Sequence, residues 1–113
     1  MKIALLAAVA AALAVPAAQA STPTLRGTVG PGFTITLTKA GKKVAKLKAG
    51  TYKIVVADKA AVHNFHLTGP GVNKKTSVSA TGTTTWTLKL KKGTYKYVCD
   101  PHASGMRGSF TVS

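Results

Sequence analysis

The chain has 113 residues, 45% of them hydrophobic, and carries sixteen lysines and arginines against two acidic residues, for a formal net charge of +14. A chain of this length forms one small domain, whose hydrophobic core is only just large enough to stabilise the fold by itself. The two aspartates, Asp58 and Asp100, leave no carboxylate pair for general acid–base catalysis, and the single cysteine excludes an internal disulfide. We therefore expect a non-enzymatic protein, with a bound metal as an alternative to disulfides for stabilising the fold.

The first predicted element is an export signal over residues 1–20. Lys2 supplies a positive start, an apolar run covers residues 3–15, and Ala18-Gln19-Ala20 has the small-x-small pattern of a cleavage site. The apolar run, at roughly 13 residues, is too short for a helix that spans a bilayer of ~30 Å. The sequence predicts cleavage after Ala20, an exported protein in the periplasm, the cell envelope or the medium, and one mature domain over residues 21–113; a retained anchor is the alternative.

The mature part is predicted to be all-β. Short runs that alternate apolar with polar residues are separated by glycine and proline turns, which is typical of a β-sandwich or barrel. The inward-facing residues of the clearest runs are Phe33, Ile35 and Leu37; Tyr52, Ile54 and Val56; Trp86, Leu88 and Leu90. Seven or eight strands are predicted, with Trp86 in the core.

Two segments of the chain resemble each other. LKAGTYKIVV at residues 47–56 aligns with LKKGTYKYVC at residues 90–99. We interpret them as two similar turn-to-strand units of one sandwich rather than a duplication. The alignment puts Cys99 in the same alternation phase as Tyr95 and Tyr97, so its sulfur is predicted to face the interior.

The residues with metal-binding chemistry fall in two places. Cys99, His102 and Met106 lie within the segment CDPHASGM at residues 99–106, and His63 lies upstream in a strand-like stretch, AVHNFH at residues 61–66. A thiolate, two imidazoles and a weak thioether are the ligands of a blue (type 1) copper site. The sequence predicts one copper ion held by these four side chains. His66 points to the opposite face from His63 and is left out of this set, without an assigned role.

These motifs resemble the cupredoxins, the plastocyanin, azurin and amicyanin group of blue-copper proteins, over nearly all of residues 24–113. The segment HNFH at residues 63–66 is similar to the ligand segment of amicyanin, and residues 93–108 look like the family's ligand loop. The resemblance implies a Greek-key β-sandwich and one-electron transfer. It also implies a backbone N–H of Asn64 donating to the Cys99 sulfur and a tyrosine-corner role for Tyr95.

An electron carrier needs an exit for its electron. We predict His102 as that exit, with a small, mostly uncharged docking surface around it for a redox partner protein. The predicted docking residues are Pro101, Ala103, Gly105 and the loop Gly69-Pro70-Gly71. Small contact areas are typical of weak redox encounters.

Three explanations of the high positive charge stay open: it keeps the protein soluble, it steers the protein towards an acidic redox partner, or it holds the protein at an anionic envelope surface. A nucleic-acid partner is not expected, because the chain is predicted to be exported and its lysines alternate along strands instead of lining an aromatic groove. We expect a monomer. Two other functions stay open at this stage: a copper carrier or buffer of the envelope, and a metal-free basic β-sandwich that binds through its charged face.

Overall fold

A computed structural model describes residues 21–113 of the chain. Its strands are β1 (Thr24–Val29), β2 (Ile35–Lys39), β3 (Lys42–Lys43), β4 (Lys46–Leu47), β5 (Gly50–Asp58), β6 (His66–Gly69), β7 (Val72–Lys75), β8 (Gly82–Leu90), β9 (Gly93–Val98) and β10 (Arg107–Val112). A single 3₁₀ turn, Asp100–His102, lies between β9 and β10. The predicted export signal lies outside the described residues, so its cleavage stays a prediction. No helix within residues 21–113 has the length and apolar character needed to span a bilayer.

The strands form two five-stranded sheets, in the orders β3-β2-β1-β5-β8 and β4-β10-β9-β6-β7. Most neighbours are antiparallel, but β1 pairs with β5 and β4 with β10 in parallel. The predicted all-β sandwich is confirmed. There are ten strands in the described residues instead of seven or eight, because β3 and β4 have two residues each and are too short to show alternation in the sequence.

The facing sides of the sheets enclose the core. Its most deeply buried apolar residues include Leu25, Val29, Leu37, Ile54, Val56, Phe65, Leu67, Leu90, Tyr95 and Tyr97. Burial alternates along β5 and β9 as the sequence predicts, so Tyr52, Tyr95 and Cys99 all face inward. Each such buried side chain is worth about 1.5–3 kcal/mol relative to an exposed one.

The similar segments at residues 47–56 and 90–99 each contain a tyrosine that hydrogen-bonds to the turn before its strand. Tyr95 donates its hydroxyl to the backbone carbonyl of Lys91, at 2.8 Å, and Tyr52 donates to the carbonyl of Lys48, at 2.7 Å. In both cases the acceptor lies four residues upstream, across the turn before the strand. Each bond ties a turn to the following strand and satisfies a partly buried hydroxyl. The predicted tyrosine corner at Tyr95 is therefore present, and Tyr52 repeats it.

Two aromatic residues are placed differently from the prediction. Phe33 was expected to point into the core, but β2 begins only at Ile35, and the Phe33 side chain in the preceding loop is 72% exposed. Trp86 is only half-buried; it packs against the core from β8, at the edge of its sheet. An edge strand has a neighbour on one side only, so its side chains are covered less completely.

The strand directions define two ends of the sandwich. At one, called the cysteine end, β1, β5 and β9 finish, and Cys99 follows β9 directly. At the other, called the lysine end, β1, β5 and β9 begin and β2, β8 and β10 finish. The lysine end carries six exposed lysines, at positions 39, 42, 46, 48, 91 and 92.

Candidate metal centre

Three side chains meet at the cysteine end. The Nδ1 atoms of His63 and His102 lie 3.1 Å apart. The Sγ atom of Cys99 lies 3.7 Å from Nδ1 of His63 and 3.5 Å from Nδ1 of His102. Residues 36 positions apart in the sequence therefore present three donor atoms around one point.

These separations fit a single metal ion. A first-row ion such as zinc makes bonds of about 2.0 Å to imidazole nitrogen and about 2.3 Å to thiolate sulfur, so two donors on one ion lie at most about 4.4 Å apart. All three separations are shorter than that limit. His63 and Cys99 are 1% and 0% exposed, so the donors are held away from water.

The loop from Cys99 to Met106 is closed by its own backbone. The N–H of Cys99 donates to the carbonyl of Met106, and the N–H of His102 donates to the carbonyl of Cys99, both at 3.0 Å. The carbonyl of His102 in turn accepts the N–H groups of Gly105 and Met106. Pro101 sits in the first turn of the 3₁₀ segment, where its ring restricts φ and no N–H is required. The loop thus holds Cys99 and His102 in one arrangement.

Met106 is 1% exposed and belongs to the buried core at this end. Its backbone closes the loop that carries the other two donors. Its thioether as the fourth, weak donor stays a prediction, which its burial and its place in this loop support.

His63 comes from a loop, not from a strand as predicted. It lies between β5, which ends at Asp58, and β6, which begins at His66. The first turn of this loop is held by Asp58, whose Oδ1 accepts the N–H of Ala60, while the carbonyl of Ala60 accepts the N–H of His63. The chain crosses from one sheet to the other between β5 and β6, and the alternation of residues 61–67 did not reveal that this crossing interrupts the strand.

The neighbouring loop, residues 30–34, packs against His63. Gly30 has a φ of +75°, and a Cβ there would lie 3.1 Å from Cδ2 of His63. The ring of Phe33 meets the rings of His63 and His102 edge-on, with centroids 5.3 and 5.0 Å apart. These contacts restrict both imidazoles, and the alternation of residues 33–37 did not reveal them because it predicts Phe33 in the core.

An aromatic stack lies directly beneath the donors. Phe65, two residues after His63, stacks on Tyr97, two residues before Cys99, with centroids 5.5 Å apart and ring planes 7° from parallel. Both rings are buried. Aromatic pairs contribute about 0.5–1.5 kcal/mol beyond the area that they bury. This pair joins the two donor segments where they leave the core.

A polar network connects the same two segments. The Asn64 side chain donates to Oδ2 of Asp100 at 2.8 Å and accepts the N–H of Asp100 at 2.8 Å. His66 bonds to Oδ1 of Asp100 through Nδ1 and to Oδ1 of Asn73 through Nε2. Asn64 is 1% exposed, so this pairing also satisfies a buried amide. The hydrogen bond from the Asn64 backbone N–H to the Cys99 sulfur stays a prediction.

The hydrogen bonds and charges of this network shift the pKa values of His66 and Asp100. Burial alone lowers the pKa of His66, but the hydrogen bonds to Asp100 and Asn73 and the charge of Asp100 outweigh it, so the pKa is raised. Burial alone raises the pKa of Asp100, but hydrogen bonds from Asn64 and His66, with the charges of His66 and Lys75, lower it. Since both ring nitrogens of His66 face oxygen acceptors, the protonated imidazolium fits this site.

The surface over the donors is mostly uncharged. His102 is half-buried, and around it Pro101, Ala103 and Gly105 are exposed, as predicted. Phe33 and Val62, the exposed large hydrophobic residues of the described chain, also belong to loops at this end. The prediction for the loop Gly69-Pro70-Gly71 was wrong. It lies at the lysine end, where the carbonyl of Pro70 faces the hydroxyl of Tyr95, because β6 runs away from the donors.

Comparisons with known proteins agree with this geometry. The family model described as copper binding proteins, plastocyanin/azurin family, matches residues 28–113. Reduced rusticyanin has a similar structure, with a TM-score of 0.62 and 24% identity over 83% of this chain and 81% of that one. A rusticyanin mutant (TM-score 0.61, 26% identity) and rusticyanin from Thiobacillus ferrooxidans (TM-score 0.57, 26% identity) each cover 83% of this chain and align over 79% of their own. No curated protein sequence matches the chain.

Proposed function

Since the chain belongs to the plastocyanin/azurin family of copper-binding proteins, we propose that it carries single electrons through one type 1 copper ion held by His63, Cys99, His102 and Met106. The observation that supports this most directly is the convergence of three donor atoms, 3.1–3.7 Å apart, from two remote segments. A copper ion bound there supplies the one-electron couple between Cu(I) and Cu(II).

The protein's own contribution is a site that changes little between the two oxidation states. Backbone hydrogen bonds close the Cys99–Met106 loop, and the Phe65–Tyr97 stack supports the two donor segments from below. A thiolate and two imidazoles suit both copper oxidation states, and a weak thioether penalises neither strongly. Small rearrangement on electron gain or loss is what a carrier requires.

The electron leaves through His102 in this proposal. His63 and Cys99 are fully covered, whereas His102 is the half-buried donor at the surface. A redox partner protein docks on the uncharged surface around it, which includes Phe33 and Val62. A small contact of this kind gives the weak, short-lived complexes that an electron shuttle needs. We further propose a monomer that is exported by residues 1–20 to the periplasm, the cell envelope or the medium.

The test is a copper titration of residues 21–113, followed by visible absorption and by redox cycling. We expect an intense blue colour that saturates at one copper per chain, since a thiolate bonded to Cu(II) absorbs strongly in the visible range. Cys99→Ser should abolish the colour, and His66→Gln, the matched change at a histidine outside the donor set, should leave it in place.

The alternatives give different results in the same experiment. A protein that stays colourless with cupric salt has no type 1 copper site, and the proposal fails; if it also retains no copper, it is a metal-free binding module. A protein that binds copper but releases it when reduced and reoxidised is a copper carrier of the envelope. Repeated cycling without loss of copper supports the electron carrier.

A further inference from the structure

The charged side chains are unevenly distributed between the two ends of the fold. Six exposed lysines define the lysine end, and they come from the turns after β2 and β8 and from the segment around β4. The pairing of Gly50 with Leu90 brings the turn at Lys48 beside the turn at Lys91. Both aspartates lie at the cysteine end, Asp58 as the last residue of β5 and Asp100 directly after Cys99.

No aspartate or glutamate side chain lies at the lysine end within the described chain. The ion pair that residues 21–113 contain is His66–Asp100, at the opposite end. Instead, one groove of about 480 Å³ that spans both sheets is lined by Lys39, Lys42, Lys43, Lys46 and Lys48. Unpaired lysines held this close repel one another, which favours a binding partner that supplies negative charge.

From this distribution we propose that the lysine end docks on an anionic lipid bilayer and leaves the cysteine end free for redox partners. The proposed copper site uses none of these lysines. The lysines belong to separate turns of both sheets and cover a whole end of the sandwich, which suits a charged plane. Large exposed apolar residues of the described chain lie at the other end, so the contact is electrostatic and does not insert into the bilayer.

The breadth of the lysine end favours a bilayer over an acidic protein. Lys39 and Lys42 belong to one sheet and Lys46 to the other, and all three line the same groove. Lys91 lies in the turn that connects the two sheets. Positive charge spread over the ends of both sheets matches a plane of anionic headgroups better than one acidic segment of a protein.

The experiment measures co-sedimentation of residues 21–113, with and without copper, with phosphatidylglycerol-containing vesicles at low ionic strength. Each lysine near an anionic surface strengthens binding by about fivefold. The variant with Lys42, Lys48, Lys91 and Lys92 all changed to Gln should bind about 10²–10³-fold more weakly. The matched control changes Lys59, Lys74, Lys75 and Lys96 to Gln; it has the same net charge and should lose less than about tenfold.

A second measurement tests the orientation. Lipids that carry a paramagnetic label should broaden the backbone NMR signals of residues 40–42 and 91–92 and spare residues 100–106. Absence of vesicle binding, an equal loss in both quadruple variants, or broadening at residues 100–106 would overturn the proposal. Lysine-end-dependent binding to soluble polyglutamate without vesicle binding would overturn it in favour of an acidic protein. None of these outcomes depends on the blue colour, so the copper proposal stands or falls separately.

Discussion

At the scale of single residues, Asp100 links the donor loop to the rest of the fold. One of its oxygens accepts from the buried Asn64 amide and the other pairs with His66. Asn64 directly follows His63, and Asp100 directly follows Cys99. The pairing therefore ties one donor segment to the other through the Asn64 side chain, which also accepts the backbone N–H of Asp100.

His66 should make a pH-dependent contribution to the stability of the copper-free protein. Because the pKa of His66 is raised in the folded protein, protonation of His66 stabilises the fold. This stabilisation is complete below the ordinary histidine pKa of about 6.5 and is lost as the pH rises through the higher pKa that His66 has in the folded state. His66→Gln should lower the free energy of unfolding by less than about 1 kcal/mol near pH 6, because the pair is partly exposed. The effect should shrink at alkaline pH, as measured by urea unfolding. A loss that grows with pH would contradict this.

At the scale of elements, the donors are positioned by three loops at the cysteine end. The loop after β5 carries His63, the loop after β9 carries Cys99 and His102, and the loop after β1 packs Phe33 and Gly30 against the imidazoles. The third loop contributes no donor. Its function is to restrict the histidines and to limit their contact with water.

Gly30→Ala should disturb the site although it removes no donor. A φ of +75° is unfavourable for alanine, and the added Cβ lies 3.1 Å from His63, so we expect a loss of about 1–2 kcal/mol in stability and weaker copper binding with a shifted visible band. Gly32→Ala is the matched control in the same loop, since a Cβ there meets no atom within 4 Å. Urea unfolding and copper titration measure both. Wild-type affinity and spectrum in Gly30→Ala would show that this loop does not restrict His63.

At the scale of the whole molecule, charge repulsion opposes folding. Fifteen of the sixteen basic residues fall after residue 20, against two aspartates, so this part has a net charge of about +13. Burial of the aromatic and aliphatic core between two sheets has to outweigh that repulsion. A bound copper ion adds to stability by joining segments that cross between the sheets.

Added salt should therefore stabilise the protein. The screening length falls from about 30 Å at 0.01 M salt to about 10 Å at 0.1 M, which weakens repulsion among the lysines more than it weakens the ion pair between His66 and Asp100. We expect the melting temperature at neutral pH, measured by circular dichroism, to rise with sodium chloride over this range. A decrease would mean that attractive charge pairs dominate.

The sequence by itself determined the all-β class, the longer strands and the donor chemistry. Alternation with period two is a local property, so it predicted β5 and β9 and the inward direction of Cys99, and the residue types in the Cys99–Met106 loop indicated copper. Only the tertiary structure decided the features that depend on how the chain crosses between the two sheets. It showed which end each turn occupies, and so why Gly69-Pro70-Gly71 lies far from the donors. It also showed the exposure of Phe33, the Asp100–His66 pairing and the gathering of lysines at one end. Such contacts join residues distant in sequence, and no local pattern encodes their distance in space.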